Sequence, residues 1–358
     1  MTEKKSRYLG VQPFKTSDRQ LFFGRDEDIE NLHDFILLEK LVVLFGKSGY
    51  GKSSLLNAGI VPRLQAPDQP ESFRYKPVEV RFTDCAGPQA ASPLQTLARL
   101  ISDLPADPDS DFLSAAGSDD SLWLLLKRRQ QSANGRFVLL FDQFEEFFSY
   151  PPAQQEAFRR QLAELLFTDI PQALRQKQDA LGDEARRYLA SPMNVKAVFV
   201  IRSDRMSLLD SMKDTLPAIL HKRYELRPLT PDQARDAIVQ PARIAGDAFN
   251  SPPFEYTDDG LQAILDALGS RNHSDTEAAG IEAFQLQIIC EYLESRVRDG
   301  HVRDLDGNGL PDITREELPE MDTLYEQYYH RKLGELKPEE REKARLVLEN
   351  ILLIPFIP

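Results

Sequence analysis

The sequence predicts an α/β chain, a doubly wound parallel sheet followed by a region of helices alone. Two observations predict it. As far as Pro228, strand-length apolar runs alternate with segments of helical apolar spacing, the order expected of βαβ units with right-handed crossovers. A glycine-rich turn also sits between the first buried run and the helix after it, which is where such sheets hold their ligands. Beyond Pro228 only the helical period persists.

Asp26–Leu38 spaces Ile29, Leu32, Ile36 and Leu37 as one helical face. Leu41–Phe45 is a buried strand, and Lys52 to about Gly59 reads as the helix opened by the glycine-rich turn. Pro77–Phe82 alternates Val78, Val80 and Phe82, a second strand. Ser92–Leu104 is helical, with Ser92 as N-cap and Pro93 in the first turn. Asp119–Gln131 is another helix. Phe137–Phe141 carries no polar side chain, as the middle of a parallel sheet requires. A long helical region runs from Ala153 to about Leu189, broken near Ile170–Pro171. Val195–Ile201 is the next central strand and Tyr224–Leu226 a short fifth. Helices follow over Pro231–Ala245, Asp258–Leu268, Phe284–Arg296, Met321–Lys332 and Pro338–Leu352, with a polar interruption at Gly269–Gly280. The expected boundaries are a lead segment at 1–25, a core at 26–229, a helical lid at 230–300 and the start of a further small domain at 301–358.

The chain has 358 residues, more than one typical domain, with 41% apolar and 28% charged residues, enough for a core and a solvated surface. Its 44 Lys and Arg against 57 Asp and Glu leave a net charge of −13, which argues against a general nucleic-acid-binding surface. The longest apolar runs are too short to span a bilayer, and MTEKKSRY lacks the apolar stretch of a secretory signal. Cys85 and Cys290 have no neighbours at metal spacing and read as free thiols of a reducing cytoplasm. The apolar Ile351–Pro358 reads as a chain cut from a longer protein.

Gly46-Lys47-Ser48-Gly49-Tyr50-Gly51-Lys52-Ser53 fits the phosphate-binding loop at every fixed position. The glycines let successive N–H groups face a phosphate, and the helix start adds partial positive charge. Lys52 is expected to reach the β- and γ-phosphates and Ser53 to ligate Mg²⁺; Ser54 follows in the same turn. Asp142, at the end of the Phe137–Phe141 strand, is the expected metal-side acid. Many ATPases place a glutamate directly after this aspartate to polarise water; here Gln143 stands there. Glu145 and Glu146 are the nearest acids, and either could be the general base or a solvated residue opening a helix. Weak or gated hydrolysis is the expected consequence. Arg202, leaving the Val195–Ile201 strand, is the expected γ-phosphate sensor, with Arg205 a turn further on. No guanine-specific Asn/Thr-Lys-x-Asp motif and no Leu-Ser-Gly-Gly-Gln signature occur, so ATP is favoured over GTP and a transporter ATPase is disfavoured.

Together with Phe22-Phe23-Gly24-Arg25-Asp26, Leu55-Leu56-Asn57-Ala58-Gly59, Asp142-Gln143-Phe144-Glu145-Glu146 and Arg227-Pro228-Leu229-Thr230, these residues resemble the novel STAND NTPase 1 family, among the signal-transduction ATPases with numerous domains. The resemblance runs from about Tyr8 to at least Leu352. It implies an ATP-dependent switch in which ADP holds a closed monomer, and target plus ATP opens it and drives oligomerisation. It also implies a protein target or effector domain outside this segment, and a setting of bacterial antiphage defence, cell suicide or signalling. By position it implies that Phe23, Gly24 and Arg25 lie near adenine and ribose. It further implies that Gly46–Ser53 hold the phosphates, that the helices after Leu229 form a lid, and that Met321–Leu352 begin a winged-helix-like domain. The family's Gly-x-Pro lid element corresponds to Gly280–Gln287, with Ala283 at the proline's place. An AAA-like remodelling ring and an ATP-binding scaffold with little turnover are the competing readings.

Two further signals point elsewhere. Asp304, Asp306, Asn308 and Gly309 match the first half of a calcium loop, but Arg315 holds the position of its closing glutamate; a polar turn explains the pattern. Tyr325, Tyr328 and Tyr329 are helix-spaced aromatics that read as core.

Overall fold

The computed structural model describes residues 4–67, 70, 74–83, 91–107, 110, 121–130, 135–176, 182–269, 280–337 and 341. The chain divides into two compact units, Pro13–Arg227 and Met1–Gln12 with Pro228–Pro358. The lead segment expected over 1–25 is therefore shared: its first twelve residues group with the second unit.

The first unit is built on β1 (Leu41–Gly46), β2 (Lys76–Arg81), β3 (Gly135–Asp142), β4 (Met193–Arg202) and β5 (Arg223–Glu225). The order is β2-β3-β4-β1-β5 and every pairing is parallel. The chain leaves β1 for the far edge, returns through β3 to β4, and crosses β1 to reach β5. The C-terminal end of β1 is thus the switch point where a ligand crevice opens. β3 and β4 run past their apolar runs, because ladder pairing continues where side chains turn polar; Asp142 and Arg202 are their last residues.

Both sheet faces are covered, which is why the strands read as unbroken apolar runs. On one face Val42, Leu44, Val138, Leu140, Val198 and Val200 pack with Leu32 and Ile36 of α1 (Asp26–Leu38). On the other, Val43, Leu139, Phe141 and Phe199 pack with α4 (Pro93–Ser102), α5 (Leu122–Lys127) and α6 (Pro152–Phe167). Ser92 caps α4 in a reciprocal box with Gln95. α5 is shorter than the expected Asp119–Gln131, since Ser121 caps it by accepting from Leu124 N–H; residues 119, 120 and 131 lie outside the described ones. After α6, α7 (Gln172–Arg175) and α8 (Asp183–Ala190) resume beyond the break at Ile170–Pro171.

The helix after the glycine-rich turn runs well past Gly59. It comprises α2 (Lys52–Ser54), a π-helical stretch (Leu55–Ile60) and α3 (Val61–Leu64). The wider π turn comes just ahead of Pro62, which has no N–H to donate and whose ring needs room in the preceding turn.

The second unit contains α9 (Pro231–Arg243), α10 (Asp258–Gly269), α11 (Ala283–Arg298) and α12 (Met321–Glu335). Its core takes in Tyr8, Ile238, Phe254, Leu265, Ile289 and Tyr328. It is not helices alone: β6 (Glu255–Tyr256) pairs in parallel with β7 (Asp312–Ile313). Two-residue strands carry too little alternation to be visible in sequence. Leu229 and Ile281 exchange backbone hydrogen bonds of 2.8 Å each, pinning the Gly280-Ile281 element beside the residues with which the chain re-enters this unit.

Cys290 is buried, and burial pushes its thiol up, as for an inert core cysteine. Asp304 accepts from the N–H groups of Gly307 and Gly309 in a polar turn, with the carboxylates of Asp304, Asp306 and Asp312 within 4.8 Å of one another. Cys85, the helix expected over Pro338–Leu352, residues 270–279 and Ile351–Pro358 lie outside the described residues.

Candidate nucleotide-binding site

The loop after β1 depends on its glycines. A Cβ at Gly46 would meet the Leu226 carbonyl oxygen at 2.6 Å, so a side chain there would push away the residue that follows β5. Gly49 and Gly51 lie at φ 83° and 93°, in the left-handed region. The chain therefore curls before α2 with Lys47, Ser48 and Gly49 exposed. Tyr50 is buried on the α1 side of the sheet, and its carbonyl accepts from the Arg25 guanidinium at 2.9 Å. Arg25 is only 4% exposed and also bonds Asp28 at 2.8 Å, while Tyr224 of β5 donates to the same carboxylate at 2.7 Å. Arg25 thus braces the back of the loop. Gly24 is buried beside it and Phe23 is half-buried. The Ser54 hydroxyl accepts from Phe14 N–H at 3.2 Å, so this side chain serves the incoming chain.

Lys52 donates to the carbonyls of Gly46 and Lys47, both at 2.8 Å. Ser53 Oγ donates to Asp142 Oδ1 at 3.0 Å, joining residues 89 positions apart. A hydroxyl and a carboxylate meeting at the C-terminal sheet edge are hard oxygen donors of the kind Mg²⁺ takes beside a nucleotide, so Ser53 and Asp142 fit that ion. Arg202 stands opposite Gly46 in the β1–β4 register. Its guanidinium grips Asp204 with two bonds, 3.0 and 2.9 Å, and holds that carboxyl below its ordinary range. Arg205 is 3.8 Å from the same carboxylate.

The phenylalanine-rich run after β3 explains how the acids are aimed. Phe144–Ser149 is a 3₁₀ turn, in which residues three apart share a row. Phe144 and Phe147 form the buried row, stacked at 5.0 Å within a cluster that includes Phe82, Phe141, Phe158 and Phe199. Glu145 and Glu146 therefore leave on different rows. Glu145 turns toward the loop: of the carboxylates acting on Lys52 its influence is the largest, ahead of Asp142. Its Oε2 is buried with no hydrogen-bond partner among the described residues. Burial lowers the Lys52 ammonium below its ordinary value, against the pull of both carboxylates. The structure thus gathers Lys52, Ser53, Asp142, Glu145 and Arg202 at one sheet edge. The sequence reading gave no role to Asp204, the carboxylate that Arg202 grips, although the Arg-Ser-Asp-Arg run was on view.

The model of the family described as Novel STAND NTPase 1 matches residues 8–264. The chain belongs to this family. The STAND match spans the sheet unit and ends within α10, short of the Leu352 that the resemblance was expected to reach. Membership makes the chain a P-loop NTPase that binds nucleotide. No curated protein matches it. Among solved structures it is similar to the Aeropyrum pernix ORC2 protein in ADPNP–ADP complexes, with 14% identity, a TM-score of 0.48 and coverage of 92% of this chain and 75% of that one. A Walker-type ATPase of Pyrococcus abyssi is also similar, with 14% identity, a TM-score of 0.42 and coverage of 93% and 78%. So is Drosophila ORC bound to DNA, with 12% identity, a TM-score of 0.38 and coverage of 93% and 68%. At these TM-scores none bears on activity. Among the described residues no helix is long and apolar enough to cross a membrane.

Proposed function

We propose that this STAND NTPase is a Mg-ATP-dependent switch with slow, gated hydrolysis, whose nucleotide state governs self-association and the output of a target or effector domain outside the segment. Antiphage defence or signalling in the cytoplasm is the setting this reading favours. The observation that carries it is the convergence on one sheet edge of the Lys52 ammonium, the Ser53–Asp142 pair and the Glu145 carboxylate. Lys52 would bind the β- and γ-phosphates, Ser53 and Asp142 the metal, and Arg202 would sense the γ-phosphate once its grip on Asp204 loosens. When bound, the ion would neutralise charge on the phosphates. Gln143 in place of a glutamate supports slow turnover, and the net charge of −13 supports nucleotide and protein partners over nucleic acid.

Mass photometry of the chain with ADP and then with ATP and Mg²⁺ tests the switch. Larger assemblies are expected with ATP. Identical masses in both states, with continuous turnover at low concentration, would favour a remodelling motor instead.

Glu145 is the proposed general base, because its free oxygen lies on the row turned toward Lys52. Glu145→Gln should lower kcat by about a hundredfold or more while ATP still binds, the usual scale for a lost base. Glu146→Gln should stay within about threefold of the parent. Phosphate-release kinetics decide it; an equal loss in both variants would remove Glu145 from this role.

A further inference from the structure

Gln143, directly after the metal-side carboxylate, is held more tightly than a surface glutamine needs to be. Its φ is 50°, and among the described residues it is the one non-glycine in the left-handed region. That conformation is unfavourable for a residue with a Cβ, and it persists only where surroundings enforce it. The backbone N–H donates to Asp142 Oδ1 at 3.0 Å and the carbonyl accepts from Glu146 N–H at 3.1 Å. Both main-chain groups thus serve the turn. The side chain is fixed separately: Oε1 accepts from the guanidinium of Arg81. Arg81 ends β2 and stands level with Asp142 in the ladder. An arginine only donates, so the amide atom facing it is the oxygen. This leaves the second lone pair of Oε1 and both N–H bonds of Nε2 for other partners.

We propose that Gln143, held by Arg81, orients the water that attacks the γ-phosphoryl group, with Arg81 a positioning residue that acts through Gln143. The inference rests on the hydrolysis reading above. Oε1 accepts one hydrogen bond from the water while Nε2 donates to a phosphoryl oxygen. The water oxygen bonds to the γ-phosphorus and the bond to the β–γ bridging oxygen breaks. The water proton passes to the Glu145 carboxylate, and ADP and inorganic phosphate are released.

The test compares the full chain with its Lys52→Ala, Gln143→Ala, Gln143→Gly, Arg81→Ala and Arg81→Lys variants. It measures phosphate release, affinity for ATP and for ADP with aluminium fluoride, and melting temperature. Gln143→Ala and Arg81→Ala should each lower kcat by about 10–100-fold, the scale of lost water positioning. Their ATP affinity should stay within about threefold, and ADP with aluminium fluoride should weaken in step with kcat. Arg81→Lys should recover part of the rate, because an ammonium still donates. Gln143→Gly suits the positive φ, so it should melt no lower than the parent yet remain slow. Adding Arg81→Ala to Gln143→Ala should cost nothing more. Parent-like turnover and analogue affinity in Gln143→Gly overturn the inference. So does a further loss from Arg81→Ala in the double variant, or a fall in ATP affinity that matches the fall in kcat. Lys52→Ala separates the two levels. If it keeps ATP affinity, the nucleotide reading itself fails. If it loses affinity while Gln143→Gly turns over normally, only the present inference falls.

Discussion

Lys52→Ala is expected to lower ATP affinity at least about a hundredfold, or about 2.8 kcal/mol, while leaving the fold intact. Among the described residues the ammonium donates to two carbonyls of its own loop, Gly46 and Lys47, and the residue is half-buried. Its removal breaks these two bonds and leaves no side-chain hydrogen-bond partner behind, so the cost to stability is small. The cost to binding is large because each hydrogen bond from a charged donor to a phosphate is worth about 1.5–3 kcal/mol. The pH dependence has a definite sign. Burial lowers the ammonium below its ordinary value of 10.5, so its proton is lost earlier than in a free lysine. Affinity should be full at neutral pH and weaken as pH rises through the lowered value, and Lys52→Ala should abolish that alkaline limb. Calorimetry across pH with a melting curve for each variant measures both effects. Unchanged affinity in a folded Lys52→Ala chain would show that the ammonium does not meet the phosphates.

Much of the placement of these candidate residues was legible because the parts are local. A glycine-rich loop of fixed spacing after an apolar run can do few other things, and Asp142 and Arg202 close their strands within a residue of where the apolar runs stop. Which of Glu145 and Glu146 turns toward Lys52 was not legible. It depends on a 3₁₀ row that Phe144 and Phe147 create by stacking at 5.0 Å, and helical periodicity would have placed the two acids differently. The bond from Arg25 to the Tyr50 carbonyl was not legible either, because a buried guanidinium takes whatever acceptors the packing offers. The π-wound stretch ahead of Pro62 and the two-residue strands β6 and β7 leave no periodic mark at all.

Glu294→Ala should destabilise the helical unit by about 3–5 kcal/mol, the scale for removing one member of a buried ion pair. Arg7 and Glu294 are 0% and 2% exposed and lie 287 positions apart in the chain, so no sequence pattern announces them. The Glu294 carboxylate accepts from Arg7 N–H at 3.0 Å on each oxygen and from Ser251 Oγ at 2.8 Å. The Arg7 guanidinium, 3.4 Å from Glu294 Oε1, donates in turn to the Ser251 and Ile244 carbonyls, both at 2.8 Å. An alanine at 294 leaves a buried cation with the Ser251 hydroxyl and two carbonyls but no carboxylate, and takes the acceptor from the Arg7 N–H, so the amino-terminal segment loses its anchor. Replacing both charges, as in Arg7→Met with Glu294→Leu, should recover a large part of the loss, because the uncompensated charge is the main penalty. Urea unfolding followed by helical circular dichroism measures the change. The single tryptophan, Trp123 in the core of the sheet unit, reports whether that unit stays folded in the variant. A Glu294→Ala midpoint within about 1 kcal/mol of the parent, or a double variant no better than the single, would mean that the pair does not hold the amino-terminal segment in place.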